Sequence, residues 1–120
     1  PEFYDADWKK AVFLTGVLAQ NVMDVQYRER SARPFRSRLN GLKLDNRAIK
    51  RLLPESIEKL EQYKSNYYRE LEETIAKLME SGVPELKQQS VDEISFYFAI
   101  GMNLNKQFKL KKETEGENNE

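Results

Sequence analysis

The chain has 120 residues, 20 Lys+Arg against 20 Asp+Glu, 39% hydrophobic and 33% charged, with no His and no Cys. That length suits one domain with a core that needs no staples. Without Cys there are no disulfides, thiolate zinc sites or thiol nucleophiles. Without His the commonest acid–base group and metal ligand is missing, so serine–histidine–acid catalysis within the chain is excluded.

A first helix is predicted from Asp5 or Asp7, either of which can cap free amides, to about Arg30. Trp8, Ala11, Leu14, Leu18, Val22 and Val25 recur at helical steps, and Phe13, Val17 and Met23 widen the stripe, so this helix should be buried on more than one side. Pro34 ends any helical continuation, and Asn40-Gly41 is a turn signal. Asp45 can cap a short helix, Asn46–Leu53, with Arg47, Lys50 and Arg51 outward and Ile49, Leu52 and Leu53 inward. Pro54 suits the first turn of a further helix reaching about Tyr63, where Lys64-Ser65-Asn66 breaks the pattern. The next helix spans about Tyr67–Glu80 on Leu71, Ile75 and Leu78, and Ser81-Gly82-Val83-Pro84 stops it. Ser90-Val91-Asp92-Glu93 matches a capping box opening a strongly apolar helix that ends near Phe108.

The expectation is therefore all-α: a compact bundle of about five helices over residues 1–109, then a disordered charged tail, 110–120. Gly16 and Gly101 sit inside the two most apolar helices. Each costs about 1 kcal/mol relative to Ala, and close packing of these helices at those positions is the simplest compensation. No apolar run approaches the ~20 residues of a spanning helix. The start lacks a signal peptide and an initiator Met, which reads as a trimmed product or a piece of something longer. A cytoplasmic location follows from these absences.

Zero net charge conceals segregation. Residues 1–27 carry −2, and residues 28–51 carry nine Lys/Arg against Glu29 and Asp45, a net +7. Residues 52–94 carry −5 and the rest balances. A polyanion feels the local value, because exposed charges are screened beyond about 8–10 Å. The nine are Arg28, Arg30, Arg33, Arg36, Arg38, Lys43, Arg47, Lys50 and Arg51. Most are Arg, whose planar fork suits phosphate. One reading is a solvated linker whose Arg side chains pair with the acidic second half. The other is a loop that contacts phosphate backbones without regard to sequence.

Chemistry has thinner support. The acidic pairs Glu55/Glu58 and Glu70/Glu73 lack the His of a di-metal bundle motif and read as solvated faces, with Glu55–Lys59 and Glu73–Lys77 at i,i+4. The five glycines are isolated, so there is no phosphate-binding loop. Tyr63, Tyr67 and Tyr68 could stack on bases, but core-edge tyrosines with wet hydroxyls are the preferred reading.

Four blocks occur in order between Trp8 and Met102. They are Phe13-Leu14-Thr15-Gly16-Val17-Leu18-Ala19, Arg33-Pro34-Phe35-Arg36-Ser37-Arg38-Leu39-Asn40-Gly41-Leu42-Lys43-Leu44, Leu53-Pro54-Glu55, and Asp92-Glu93-Ile94-Ser95-Phe96-Tyr97-Phe98-Ala99-Ile100-Gly101-Met102. Together they resemble the C-terminal region of the large subunit of type I-B CRISPR Cascade complexes, a region also made alone as the small subunit.

The resemblance implies a helical bundle without catalytic activity, several copies of which line the belly of an RNA-guided surveillance complex. There they support the guide RNA–target DNA heteroduplex and the displaced strand. Guide pairing selects sequence, so this subunit need touch only backbones. Implied partners are the large and backbone subunits, guide RNA, target DNA and further copies, with no cofactor, membrane or small-molecule substrate. Target degradation falls to a recruited helicase–nuclease. The phosphate-contact role carries over to Arg33, Arg36 and Arg38, supported by Arg28, Arg30, Lys43, Arg47, Lys50 and Arg51. Competing readings are a protein–protein adapter whose basic loop binds an acidic partner, and a carboxylate-metal enzyme.

Overall fold

A computed structural model describes the backbone of residues 5–29, 34–63 and 72–118, and the side chains of 5–28, 34–63 and 73–104. In chain order the helices are α1 (Asp7–Glu29), α2 (Pro34–Asn40), α3 (Asn46–Gln62), α4 (Glu72–Ser81) and α5 (Val91–Asn118), with a 3₁₀ turn, Pro84–Gln88, before α5. No strand occurs among the described residues, so the all-α expectation holds.

α1 is the centre. Every residue from Ala11 to Met23 is buried, and one cluster of buried side chains joins α1 to all the other elements. A helix enclosed on all sides must bury its polar residues too, and these find partners. Thr15 Oγ1 donates to the Ala11 carbonyl at 2.6 Å, and Gln20 Nε2 donates to Asp24 Oδ1 at 2.9 Å.

The most extensive contact of α1 is with α5, then α3. Gly16 and Gly101 create the first of these. A Cβ added at Gly16 would overlap the Phe98 carbonyl oxygen and reach Met102 N at 3.1 Å. One added at Gly101 would overlap the Phe13 carbonyl oxygen and reach Val17 N at 3.1 Å. The glycines thus face the opposite backbone reciprocally, as their place in apolar helices implies.

Two prolines act differently from expectation. Pro34 does not merely stop a helix: it is the first residue of α2, where its fixed φ is suitable and its missing N–H is no loss. Part of the presumed basic loop is therefore helical. Pro54 lies within α3, so the two helices expected over 46–63 are one. The buried stripe Ile49, Leu52, Leu53, Ser56 and Leu60 stays in helical phase across Pro54. Packing that stripe on α1 outweighs the one backbone hydrogen bond that proline removes.

Two of the predicted caps form. Asp45 Oδ1 accepts from Ala48 N at 2.9 Å at the start of α3, and Ser90 Oγ accepts from Glu93 N at 3.1 Å at the start of α5. α4 buries Ile75 and Leu78, and Gly82, at φ 72, closes it with a bond from its N–H to Leu78 O at 3.1 Å. The start expected near Tyr67 lies outside the described residues, as does the break at Lys64-Ser65-Asn66. Val83 is left-handed as well, at φ 44, a costly state for a β-branched residue. It is nonetheless buried at 6% exposure, beside Leu86 of the 3₁₀ turn. In backbone α5 reaches Asn118, past the end expected near Phe108; the sequence from Lys109 on offers no apolar stripe with which to pack.

Candidate nucleic-acid interface

Seven of the nine candidate cations lie among the residues whose side chains are described: Arg28, Arg36, Arg38, Lys43, Arg47, Lys50 and Arg51. All seven are exposed. Arg30 and Arg33 lie outside the described residues. Arg28 closes α1 and Arg36 and Arg38 stand on α2. Lys43 is in the connection to α3, and Arg47, Lys50 and Arg51 fall on its first two turns.

Of the seven, Arg38 alone forms an ion pair among the described residues. Its Nη2 donates to Glu55 Oε2 of α3, and its guanidinium lies 5.4 Å from the Phe35 ring centroid. Intramolecular neutralisation, the bland reading of the basic segment, thus accounts for one of the seven. The expected partner of Glu55 was Lys59; a longer reach from α2 takes it instead. Glu73–Lys77 does form, at 3.4 Å, and both side chains are largely solvated.

Along α3 the charges run in an unusual direction. Arg47, Lys50 and Arg51 occupy the N-terminal turns, which hold no acid in the first turn, while Glu55, Glu58 and Glu61 follow. Helix dipoles favour the reverse. The cations and the positive end of the helix therefore add, offset in part by the capping Asp45 carboxylate, and the segregation visible in the sequence becomes a gradient along one axis.

Gln26, which sequence reasoning did not single out, joins the ends of this region. It is 2% exposed. Its Oε1 accepts from Phe35 N at 3.2 Å, satisfying a free amide at the start of α2. Its Nε2 donates to Tyr63 Oη at 2.8 Å, just beyond α3. One side chain thus ties α1, α2 and α3 around the basic stretch. A Gln on an otherwise buried helix was the available signal, but its partners are distant in sequence. Tyr63 is half-buried at the core edge, as expected, though its hydroxyl is held by protein. Tyr67 and Tyr68 lie outside the described residues.

Between the start of α1 and α5, Trp8 and Tyr97 meet edge to face at 5.3 Å. Lys9 Nζ lies 5.7 Å and 5.3 Å from their centroids and 2.9 Å from Asp5 Oδ1. The Asp5 carboxylate, opposed in part by desolvation and helped by Tyr97, raises the Lys9 pKa above its ordinary 10.5. This cation is committed within the fold. No group of three or more metal-ligating side chains assembles among the described residues, and none of the helices they form is long and apolar enough to cross a membrane.

No curated protein and no solved structure matches the chain. The family model for the CRISPR-associated protein TM1802 (cas_TM1802) C-terminal domain matches residues 1–116, nearly the whole length. The central helix, its glycine seam and the cationic rim are therefore features of a CRISPR-associated domain, and the chain belongs to the TM1802 C-terminal domain family.

Proposed function

We propose that this domain is a non-catalytic subunit of a type I-B RNA-guided surveillance complex, the Cascade small subunit or its equivalent in the large subunit. It steadies the guide RNA–target DNA heteroduplex and the displaced strand through sequence-blind backbone contacts. The observation carrying this reading is the set of six exposed cations, Arg28, Arg36, Lys43, Arg47, Lys50 and Arg51, without an ion pair among the described residues of a CRISPR-associated domain. Unpaired, Arg-rich surface is what phosphate contacts require. Arg30 and Arg33 extend the same stretch in sequence, whereas Arg38 reaches a phosphate only by leaving Glu55. With neither His nor Cys, the chain acts by binding and leaves degradation to a recruited nuclease. Its partners are the complex's other subunits and nucleic acids, within the cytoplasm.

Fluorescence anisotropy with labelled single-stranded and duplex DNA tests this at low and physiological salt. Binding should be independent of sequence, weaken steeply with salt, and fall about tenfold or more when Arg36, Arg47 and Arg51 become Ala. In the assembled complex the same variant should release target DNA faster while remaining folded. Unchanged retention there would sink the assignment of these residues. The adapter reading draws on exposed Phe96 and Met79, 59% and 48% accessible. It predicts a protein partner that free DNA does not displace.

A further inference from the structure

A groove of about 290 Å³ runs between α2 and α5, close to the ~300 Å³ at which small-ligand clefts begin. Its walls are apolar: Met23 of α1 forms part of the floor, with Leu39 and Met102 on the flanking helices. Phe98 contributes little open ring surface, being 4% exposed. Three polar groups stand at the lip. Arg36 and Asn40 are four residues apart on α2, hence on one face, and Ser95 faces them from α5. None of the three makes a side-chain hydrogen bond or ion pair among the described residues. The groove therefore pairs apolar walls with an unpaired guanidinium, an amide and a hydroxyl.

That combination matches one chemical unit. A nucleotide has flat apolar faces, a polar base edge that both donates and accepts, and a phosphate. We infer that the groove seats one unstacked nucleotide of a single strand. The base lies against Leu39 and Met102, its edge meets Asn40 and Ser95, and a flanking phosphate meets Arg36. An acidic side chain on a partner helix would also satisfy Arg36. The charge at the groove favours the strand: Arg36 lines it, exposed Lys43 adjoins the lining residue Leu44, and no carboxylate lines it. Successive phosphates can meet both cations where a single carboxylate meets one. The flexible thioether of Met102 adapts to any of the four bases, so the site holds a base without selecting one. This inference rests on the phosphate-contact reading above and adds a base subsite to it.

The experiment compares anisotropy titrations of the full chain with an oligo-dT and with an abasic-spacer oligonucleotide of equal phosphate number. Burying one face of a base against apolar side chains is worth about fivefold in affinity, so oligo-dT should bind about fivefold tighter. Ala99, exposed on α5 and part of the lining, provides the control. Ala99→Leu, or the smaller filler Ala99→Val if the first does not melt as a folded protein, should erase the preference. It should leave abasic binding and its salt dependence unchanged.

Equal affinity of the unaltered chain for both strands would overturn the base subsite and leave the phosphate contacts standing. Binding to neither strand at low salt would overturn both. Displacement of the strand by an acidic amphipathic peptide, abolished by Ala99→Leu and without any dT preference, would reassign the groove to a protein partner.

Discussion

α1 meets unlike neighbours on its two sides. Against α5, two glycines let backbone approach backbone, and a single added carbon would collide with a carbonyl oxygen. Toward α2 and α3, the Ile49, Leu52, Leu53 and Leu60 stripe packs on α1. One amide side chain, Gln26, ties the three helices where they open onto exposed cations, six of them without an ion pair among the described residues. The seam is specified by what is missing and is damaged by addition. The rim is specified by what is left unpartnered and is damaged by removal. Stability and binding are therefore stored in different places, and substitutions should separate them.

The largest effect belongs to the seam. Gly101→Ala should cost about 3 kcal/mol, the upper range for overpacking, because backbone rather than a flexible side chain stands in the way. Gly41, with nothing within 4 Å of its Cβ position, is the control and should change by less than about 0.5 kcal/mol as Ala. Chemical denaturation measures both, and a loss under about 1 kcal/mol at Gly101 would mean the helices part easily.

Gln26→Leu should come next, at about 2 kcal/mol, since it strands the Phe35 amide and loses the Tyr63 bond. Its signature is faster hydrogen exchange at Phe35 amid unchanged protection in α5. Equal acceleration in both places would show that Gln26 supports the whole fold rather than the junction.

Ser56 should move stability the other way. Its hydroxyl is buried without a partner, so Ser56→Ala is expected to gain about 1 kcal/mol. A loss in a thermal melt would point to a hydrogen bond the hydroxyl makes in solution. On the rim, a double-mutant cycle across Arg38 and Glu55 should give a coupling below about 1 kcal/mol, fading with salt, since the Arg38 side chain is 48% exposed. Glu55→Gln should at the same time tighten binding to a polyanion by releasing Arg38.

The smallest effect is at Lys9. Its folded pKa lies above 10.5, so its contribution is complete below that ordinary value and is lost as pH rises through the raised one. The stability difference between the protein and Lys9→Met should thus stay constant from neutral pH to about 10 and shrink above it. A difference that shrinks on acidification alone would assign the effect to Asp5.

What could be read in the sequence was what depends on spacing along the chain. The stripe on α1, the Asp45 and Ser90 caps and the stop at Gly82 are each local patterns. Gly16 and Gly101 were legible for another reason: a costly residue in two apolar helices asks for a partner, and each supplies the other's. The prolines misled because proline was taken as a boundary. The phase of Ile49, Leu53, Ser56 and Leu60 across Pro54 already implied a continuous face. At the interface the cationic segment was plain, but which cation would be neutralised was not. Arg36 and Arg38 differ by two residues, and only their directions from α2 send one to Glu55 and leave the other over a groove. Gln26 was hidden for the same reason, since both its partners depend on how three helices meet.

The union of α1 with α5 also dictates an order of events during synthesis. The helix at the centre of the fold has its principal partner near the opposite end of the chain, so Gly16 waits for Gly101 to leave the ribosome. Until then α1 can engage α2, α3, α4 and the 3₁₀ turn, with its glycine face open. Loop closure between such distant segments is slow, and an apolar helix left half covered is a target for chaperones. A nascent chain arrested before α5 should therefore be protease-sensitive over α1, and protection should arrive in one step once the seam closes.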